Sequence, residues 1–558
     1  MIGVVCKGEE SHIAEEFFQL FKTPWEPYDP SRRYDVVLST VDMALEIDAK
    51  LLILYGSDQR HLDHLHQFSI QARRTHQRLR YERWEIPLYG PLAYFAGQSV
   101  QSPPSIIQID MNGPLRRCVR VGYDLFSEVS YLLLTGQPAN NAHIPALELH
   151  IDLLRHWIIG AGLPLVEIPA IPAGYDLTAC LTHDVDFVRI TDHGFNKTVW
   201  GFLHRALPGS LVNALKGKIP WKRFWRNVGA VASLPWVHLG LCRDFWLQFE
   251  NYARIEQGLG VTYFFIPFKK RAGDRVPLRK SGRRATCYDI QDVAHWVKFL
   301  VDKGYEIGLH GIDAWHDTHA AQLERDAIAK VVGVTKIGTR MHWLCFDTHS
   351  PRLLEDVGFT YDSTCGYNDT VGFRAGTAQV FRPLGASRIL EVPLHIQDHA
   401  LFSPYWLNLS DEQAEQRCNA IVSHVQDHGG VVTVLWHQRS LAPERLWEDF
   451  YVRFINRLKI HRTWFATAAQ IADWFRLRRT VAFRRRSHSE DELDLCLQDV
   501  PQRSIPGLIV RTYRPSSHRA PSTQAHADYE DVFWSAENSM RISIPREGET
   551  IAHGTYGR

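Results

Sequence analysis

Leu177-Thr178-Ala179-Cys180-Leu181-Thr182-His183-Asp184-Val185-Asp186 joins a short apolar, β-prone run to one imidazole and two carboxylates. Residues 177–182 read as a strand, and the polar group starts where that strand ends. The arrangement recurs twice downstream. Residues 305–309 are followed by His310-Gly311-Ile312-Asp313-Ala314-Trp315-His316, and residues 431–436 by His437. Helical patterns lie between. A helix over 245–257 stops at Gly258 and Gly260 and leads into the β-rich run 261–267. Val293, Trp296, Val297, Leu300 and Val301 then fall at i, i+3, i+4, i+7 and i+8, with Gly304 as the stop. Residues 414–428 and Gly429-Gly430 repeat the pattern before 431–436. Helix then strand, repeated, predicts an α/β fold of parallel strands with helices outside, an open sheet or a barrel, with the barrel preferred.

Upstream, residues 1–175 alternate short apolar runs (2–6, 34–38, 51–55) with helical patterns (13–21, 123–134), which predicts an N-terminal α/β domain. It has no phosphate-cradling Gly-rich loop. Downstream of Trp474 the chain turns basic and then Ser/Pro-rich, with two β-like runs at 508–512 and 540–544. Residues 478–558 are therefore expected to be a linker and a small, partly disordered β-like tail.

Composition narrows the function classes. A length of 558 residues suits two to four domains, and a formal charge of +1 gives no global electrostatic case for nucleic acid. The nine cysteines lack C-x-x-C spacing, and their odd number favours a reducing compartment. The N-terminus lacks the pattern of a secretory signal, and the apolar stretches 157–175 and 228–242 are broken by proline and carry Glu167 or His238. A cytoplasmic protein without a membrane-spanning helix is the expectation.

Groups just beyond strand ends converge on one face of a parallel sheet, so Asp184, Asp186, His310 and His437 are expected to share a site. Two imidazoles and one carboxylate suit a divalent ion such as zinc and leave room for water and substrate. Asp184 and Asp186, two apart on extended chain, point to one face, so one can bind metal while the other accepts a proton. A lone D-x-D is more often a helix-capping turn. Its recurrence with other strand-end groups outweighs that.

The five segments Leu181-Thr182-His183-Asp184-Val185-Asp186, Glu306-Ile307-Gly308-Leu309-His310-Gly311, Arg340-Met341-His342-Trp343, Gly358-Phe359-Thr360-Tyr361-Asp362-Ser363 and Leu435-Trp436-His437 together resemble, in order, the motifs of the polysaccharide deacetylase family, in its D-x-D peptidoglycan-deacetylase and allantoinase-like form. The resemblance implies a distorted (β/α) barrel over 176–477 that hydrolyses N-acetyl groups on a carbohydrate, such as a bacterial-type surface polysaccharide. It implies Asp184 as general base, Asp186 and His310 as ligands of zinc, cobalt or another divalent ion, and Arg340 as the group orienting the base. It further implies His437 as the acid and the backbone N–H of Trp343 as an oxyanion donor. Asp362 is a candidate to orient His437. An allantoinase-like amide hydrolase and an inactive glycan-binding scaffold are the competing functions.

The second motif departs from the family, whose two histidines lie four apart, because position 314 is Ala. His316, six residues on, can share a metal with His310 only if the segment is a loop. Asp313 is the rival third ligand, and the choice stays open. His319, His342 and His395 are left outside the site as structural histidines. Arg374, within Gly372-Phe373-Arg374-Ala375-Gly376-Thr377, is a candidate sugar contact or a solvated turn residue.

One stretch fits none of these motifs. From His193 to Cys242 there is no Asp or Glu, while Lys197, Arg205, Lys216, Lys218, Lys222, Arg223 and Arg226 interleave with Trp200, Phe202, Trp221, Phe224 and Trp225. Such a segment either packs as a lid or makes a salt-sensitive peripheral contact with an anionic membrane or acidic polymer.

Overall fold

The computed structural model describes all residues except 44–46, 97–103, 112, 195, 218, 276–283, 446, 487–488, 498–504, 515–528, 535–538 and 544–558. Its centre is the strand Leu177–Val185, buried along its whole length. It pairs in parallel with Val432–Leu435 on one side, and with Thr463–Phe465 and then Val261–Phe265 on the other. A strand enclosed on both faces has to be apolar, which explains the run from Leu177 to Leu181. The strand outlasts the expected 177–182, because Asp184 and Val185 still pair with Phe264 and Phe265. Asp184 therefore sits within the sheet, and Asp186 is the first residue beyond it.

Across the sheet the order is Leu390–Glu391, Tyr361–Asp362, Thr339–Met341, Glu306–Gly311, Val261–Phe265, Leu177–Val185, Val432–Leu435 and Ile396–Gln397, with every ladder parallel. The expected distorted barrel is seen in part, as a parallel sheet curled into a half-barrel. Its two outer strands are successive pieces of the one stretch 390–397, and among the described residues no ladder joins them. Val392 N donates to Asp362 O on one edge, and His395 N to Thr433 O on the other. A single irregular stretch thus spans the seam. Helices Ala294–Asp302, Thr318–Val332 and Asp411–His428 pack outside, and Val297, Leu300, Ala321, Ile328, Cys418 and Val425 join the strands in one core.

The N-terminal region forms its own six-stranded sheet in the order Trp25–Pro27, Ile2–Val5, Tyr34–Ser39, Ala49–Tyr55, Arg117–Val121, Ile106–Asp110, parallel except for the last pair. Helices Ser11–Phe21, Leu125–Leu134 and Ala146–Gly160 cover it through Phe17, Val129 and Leu154. The C-terminal segment contributes strands Val481–Arg486, Ser489–Leu497, Leu508–Tyr513, Tyr529–Trp534 and Ser539–Ser543. Leu508–Tyr513 is antiparallel to Leu165–Glu167, so the C-terminal segment shares a sheet with the last strand of the N-terminal region. The buried Arg478 guanidinium strengthens that junction by donating to the carbonyls of Ile168, Gln19 and Leu20. Among the described residues no helix is long and apolar enough to cross a membrane.

Candidate metal centre

The curl of the sheet lets a side chain cross its concave face. Arg340, on Thr339–Met341, reaches Leu177–Val185 three strands away: its Nη1 lies 2.7 Å from Thr182 Oγ1 and 3.1 Å from Asp184 Oδ1. Its Nε and Nη2 donate to Ser363 O and Oγ at 2.9 and 2.8 Å, and its guanidinium lies 4.7 Å from the Phe264 ring centroid. All three nitrogens are thus directed, and this charge-assisted clamp fixes Asp184 while leaving Oδ2 toward the centre of the site. Asp184 Oδ2 is 3.8 Å from His310 Nε2.

Asp186, His310 and His342 bring one donor atom each within 4.8 Å of one another. His310 Nε2 and His342 Nε2 both lie 3.3 Å from Asp186 Oδ1. His310 Nδ1 donates to the carbonyl of Arg340 at 3.0 Å, which leaves the Nε2 lone pair facing Asp186. Burial disfavours the Asp186 carboxylate, but the imidazoles of His342, His310 and His437 outweigh it and hold the group well below the usual carboxylate range. Burial pushes His342 down to about 3, against the pull of Asp186, so it is neutral near pH 7. The buried Asp186 Oδ1 has no donor in hydrogen-bond geometry. A carboxylate oxygen left unsatisfied beside two imidazole lone pairs fits a divalent cation, with which all three would be ligands.

His342 is held by strain and by a buried arginine. Trp343 and Leu344, directly after it, have φ of 65° and 52°, a left-handed pair that the surroundings must hold in place. Arg284 donates to the carbonyls of His342 and Ile312 at 3.1 and 2.8 Å, tying this turn to the loop beyond His310.

His437 flanks the triad, its Nε2 lying 3.7 Å from Asp186 Oδ2. Asp398, the first residue of helix Asp398–Phe402, accepts from His437 Nδ1 and from His437 N, both at 2.7 Å, and from Ser440 Oγ. Burial opposes a charged imidazole here, but Asp398 and then Asp186 outweigh it and push His437 up to about 9. Asp398 is held below its usual range, His437 outweighing the cost of burial.

Asp184, Asp186, His310 and His437 therefore come together as the strand ends suggested, with Arg340 on Asp184. The third donor of the cluster does not come from the loop after His310. That loop bends away, Ala314 packs into the core, and His316 Nε2 turns to Asp313 Oδ1 at 3.1 Å. Asp313 Oδ1 also accepts from Asp274 N. Neither His316 nor Asp313 belongs to the donor cluster, and His342, set aside in the sequence, does. Asp362 does not touch His437: it accepts from Ser363 N and Thr364 Oγ1, and burial pushes it up to about 6. Arg374 donates to Gly366 O at 2.7 Å and lies against Phe346, while its carbonyl accepts from Gln137 N, so it faces the N-terminal region. His319 is exposed on its helix, and His395 is bonded between Thr433 N and Thr377 O. Asp398 and Arg284 escaped sequence reading. The strand before Asp398, Ile396–Gln397, is only two residues long, and Arg284 follows no motif.

No family model and no curated protein matches the chain. Among solved structures, a Mycobacterium smegmatis chain described as a polysaccharide deacetylase is 19% identical, with 56% of this chain and 95% of that one covered and a TM-score of 0.33. Puue allantoinase is 15% identical over 55% and 92%, at a TM-score of 0.32. BA3943, a CE4 family pseudoenzyme from Bacillus anthracis, is 9% identical over 54% and 66%, at 0.26. Likenesses this weak leave the chemistry to be judged from the residues themselves.

Proposed function

We propose that this chain is a metal-dependent amidohydrolase that removes N-acetyl groups from a carbohydrate. The observation that carries the reading is the donor set Asp186, His310 and His342, with the clamped carboxylate Asp184 beside His310 and the imidazole His437 beside Asp186. A divalent ion held by that triad, zinc being suited to its nitrogen and oxygen donors, would supply Lewis acidity toward the acyl oxygen and the attacking water. Asp184, its Oδ1 held by Arg340, accepts the proton of that water at Oδ2. His437, its Nδ1–H fixed on Asp398, gives a proton from Nε2 to the departing amine. The backbone N–H of Trp343, in the strained turn after His342, would donate to the acyl oxygen as charge builds there. An acid beside Asp186 and a base beside His310 suit cleavage of an amide whose two halves need opposite proton transfers. The five sequence motifs support the carbohydrate substrate.

The test is acetate release from a panel of N-acetylated oligosaccharides by the full chain, metal-stripped and then supplied with zinc or cobalt. Metal-dependent acetate release is expected. Metal binding with hydrolysis only of a cyclic amide would replace the carbohydrate by an allantoinase-like substrate, and failure to bind metal would refute the enzyme reading.

A further inference from the structure

The acid-free segment folds as helix Lys197–His204, a π-helical turn Arg205–Gly209, helix Ser210–Leu215 and helix Trp221–His238. Its inner side packs on the loops of the candidate site. Phe202 stacks on Phe245 with centroids 5.2 Å apart, Phe187 meets Trp246 at 6.0 Å, and the guanidinium of Arg439, two residues beyond His437, lies 3.6 Å from the Trp246 ring centroid. That packing accounts for one face. The other face is the unusual one.

At about 100° per residue, Trp221, Trp225, Ala232 and Trp236 fall within about 60° of one another around the helix axis. The buried residues of the same helix, Asn227, Ala230 and Val237, lie on the opposite side. A helix on a water-facing surface turns its charged residues outward. Here the outward stripe is tryptophan, with Trp221, Trp225 and Trp236 exposed to 49%, 64% and 52%. Leu211, Val212 and Leu215 on the preceding helix, and Leu239 and Leu241 just after, are exposed as well. Among the described residues, nine of the nineteen exposed large hydrophobics fall between 200 and 241, so the patch is local and not general surface character.

The cations lie beside the stripe. Lys222 sits about 40° beyond its edge and Arg226 about 80°, and Lys197, Lys216 and Lys222 are exposed. Arg223 and Arg226 reach Asp449 and Glu448 on helix Glu448–Leu458, which anchors the tryptophan helix to the central body with its stripe outward. Lys218 lies outside the described residues. Tryptophan rings favour the boundary between headgroups and acyl chains, and lysine favours anionic headgroups. A soluble partner protein would need carboxylates beside its own apolar groups, whereas an anionic bilayer offers both as a continuous surface.

We propose that this helical segment docks the chain peripherally on an anionic lipid bilayer, with Trp221, Trp225 and Trp236 at the interface and Lys197, Lys216 and Lys222 toward the headgroups. Because the inner face of the segment rests on the loops after Asp186 and His437, docking holds the candidate site beside the membrane. The contact rests on the segment alone and stands whether or not the site hydrolyses an amide.

The test is co-sedimentation of the full chain with phosphatidylcholine vesicles, with and without phosphatidylglycerol, at low and high salt. Binding is expected only with the anionic lipid and is expected to weaken with salt. The triple variant Trp221→Ser, Trp225→Ser, Trp236→Ser should lose about tenfold or more of the apparent affinity, and Lys197→Gln, Lys216→Gln, Lys222→Gln should lose the preference for phosphatidylglycerol. Both variants should keep the wild-type melting temperature, and their metal content should not change. Wild-type protein that stays in the supernatant at low salt, or a tryptophan variant that pellets as well as wild type, overturns the proposal. So does a concentration-dependent dimer, seen by sedimentation equilibrium, that the tryptophan variant abolishes while vesicles bind neither protein.

Discussion

Replacing His342 by Ala is expected to remove a metal ligand, and comparison with His316→Ala and Asp313→Ala separates the structure from the sequence expectation. The His342 side chain is 5% exposed, and its Nε2 stands 3.3 Å from Asp186 Oδ1, the same distance as His310 Nε2. Burial keeps it neutral down to about pH 3, so it offers a lone pair without first losing a proton. Outer partners of a metal ligand are worth about 10- to 100-fold in affinity, so a direct ligand should cost about 100-fold or more. His316→Ala and Asp313→Ala, which break the contact between those two side chains and, for Asp313, the bond from Asp274 N, should leave affinity within about threefold. Zinc binding to metal-stripped protein is measured by titration calorimetry, and retained metal by elemental analysis after gel filtration. A melting temperature for each variant guards against simple unfolding, because losing a buried ring costs about 2 kcal/mol or more by itself. Retention of zinc by His342→Ala, together with its release by His316→Ala or Asp313→Ala, would refute the triad.

Three further outcomes follow from the same geometry. Asp184→Asn should abolish turnover yet keep zinc, since the residue is held by Arg340 and lies outside the triad; equal metal loss in Asp184→Asn and Asp186→Ala sinks that division of roles. Asp398→Asn keeps an acceptor for His437 but removes the charge that raises it to about 9, so turnover should fall by about 100-fold with zinc content unchanged, and a loss under about threefold would argue against an orienting carboxylate. Glu148, which joins helix Ala146–Gly160 to Thr377 and Ala378, is pushed by burial from 4.5 up to about 7. Its raised value means the folded state holds the proton more tightly, so the stability it contributes is full below about pH 4.5 and lost as pH rises through 7. Chemical denaturation should therefore show wild type losing about 2–3 kcal/mol more than Glu148→Gln between pH 5 and pH 8, and parallel profiles would exclude Glu148 as the cause.

The parts of the fold that sequence could show are those set by neighbours along the chain. Apolar runs at 177–182, 305–309 and 431–436 with Gly-stopped helices between them predicted parallel strands, and the carboxylates and imidazoles at their ends predicted where the chemistry gathers. Even the strand limits were misplaced by a few residues, because the ladder from Val261–Phe265 carries Leu177–Val185 through His183 and Asp184, whose polar side chains read locally as a loop. What sequence could not show is set across the sheet. His342 is one residue past the short strand Thr339–Met341, and its Nε2 meets Asp186 only because the curl brings strands three apart onto one concave face and because two left-handed residues turn the chain behind it. Asp398 meets His437 beside the seam, just past the paired strands Ile396–Gln397 and Val432–Leu435, where the stretch 390–397 changes partners and leaves two strands of two residues each, too short for any periodicity. The loop after His310 offered His316 and Asp313 at tempting spacing, but each satisfies the other, so the polar need that suggested a ligand is met locally. A histidine with an unmet partner, like His342 beside the unsatisfied Asp186 Oδ1, is recognisable only once the sheet has curled. The basic and aromatic character of residues 193–242 could be read beforehand because it is local composition, whereas the outward stripe of Trp221, Trp225 and Trp236 needed the limits of the helix Trp221–His238, which fix the side chains that share a face.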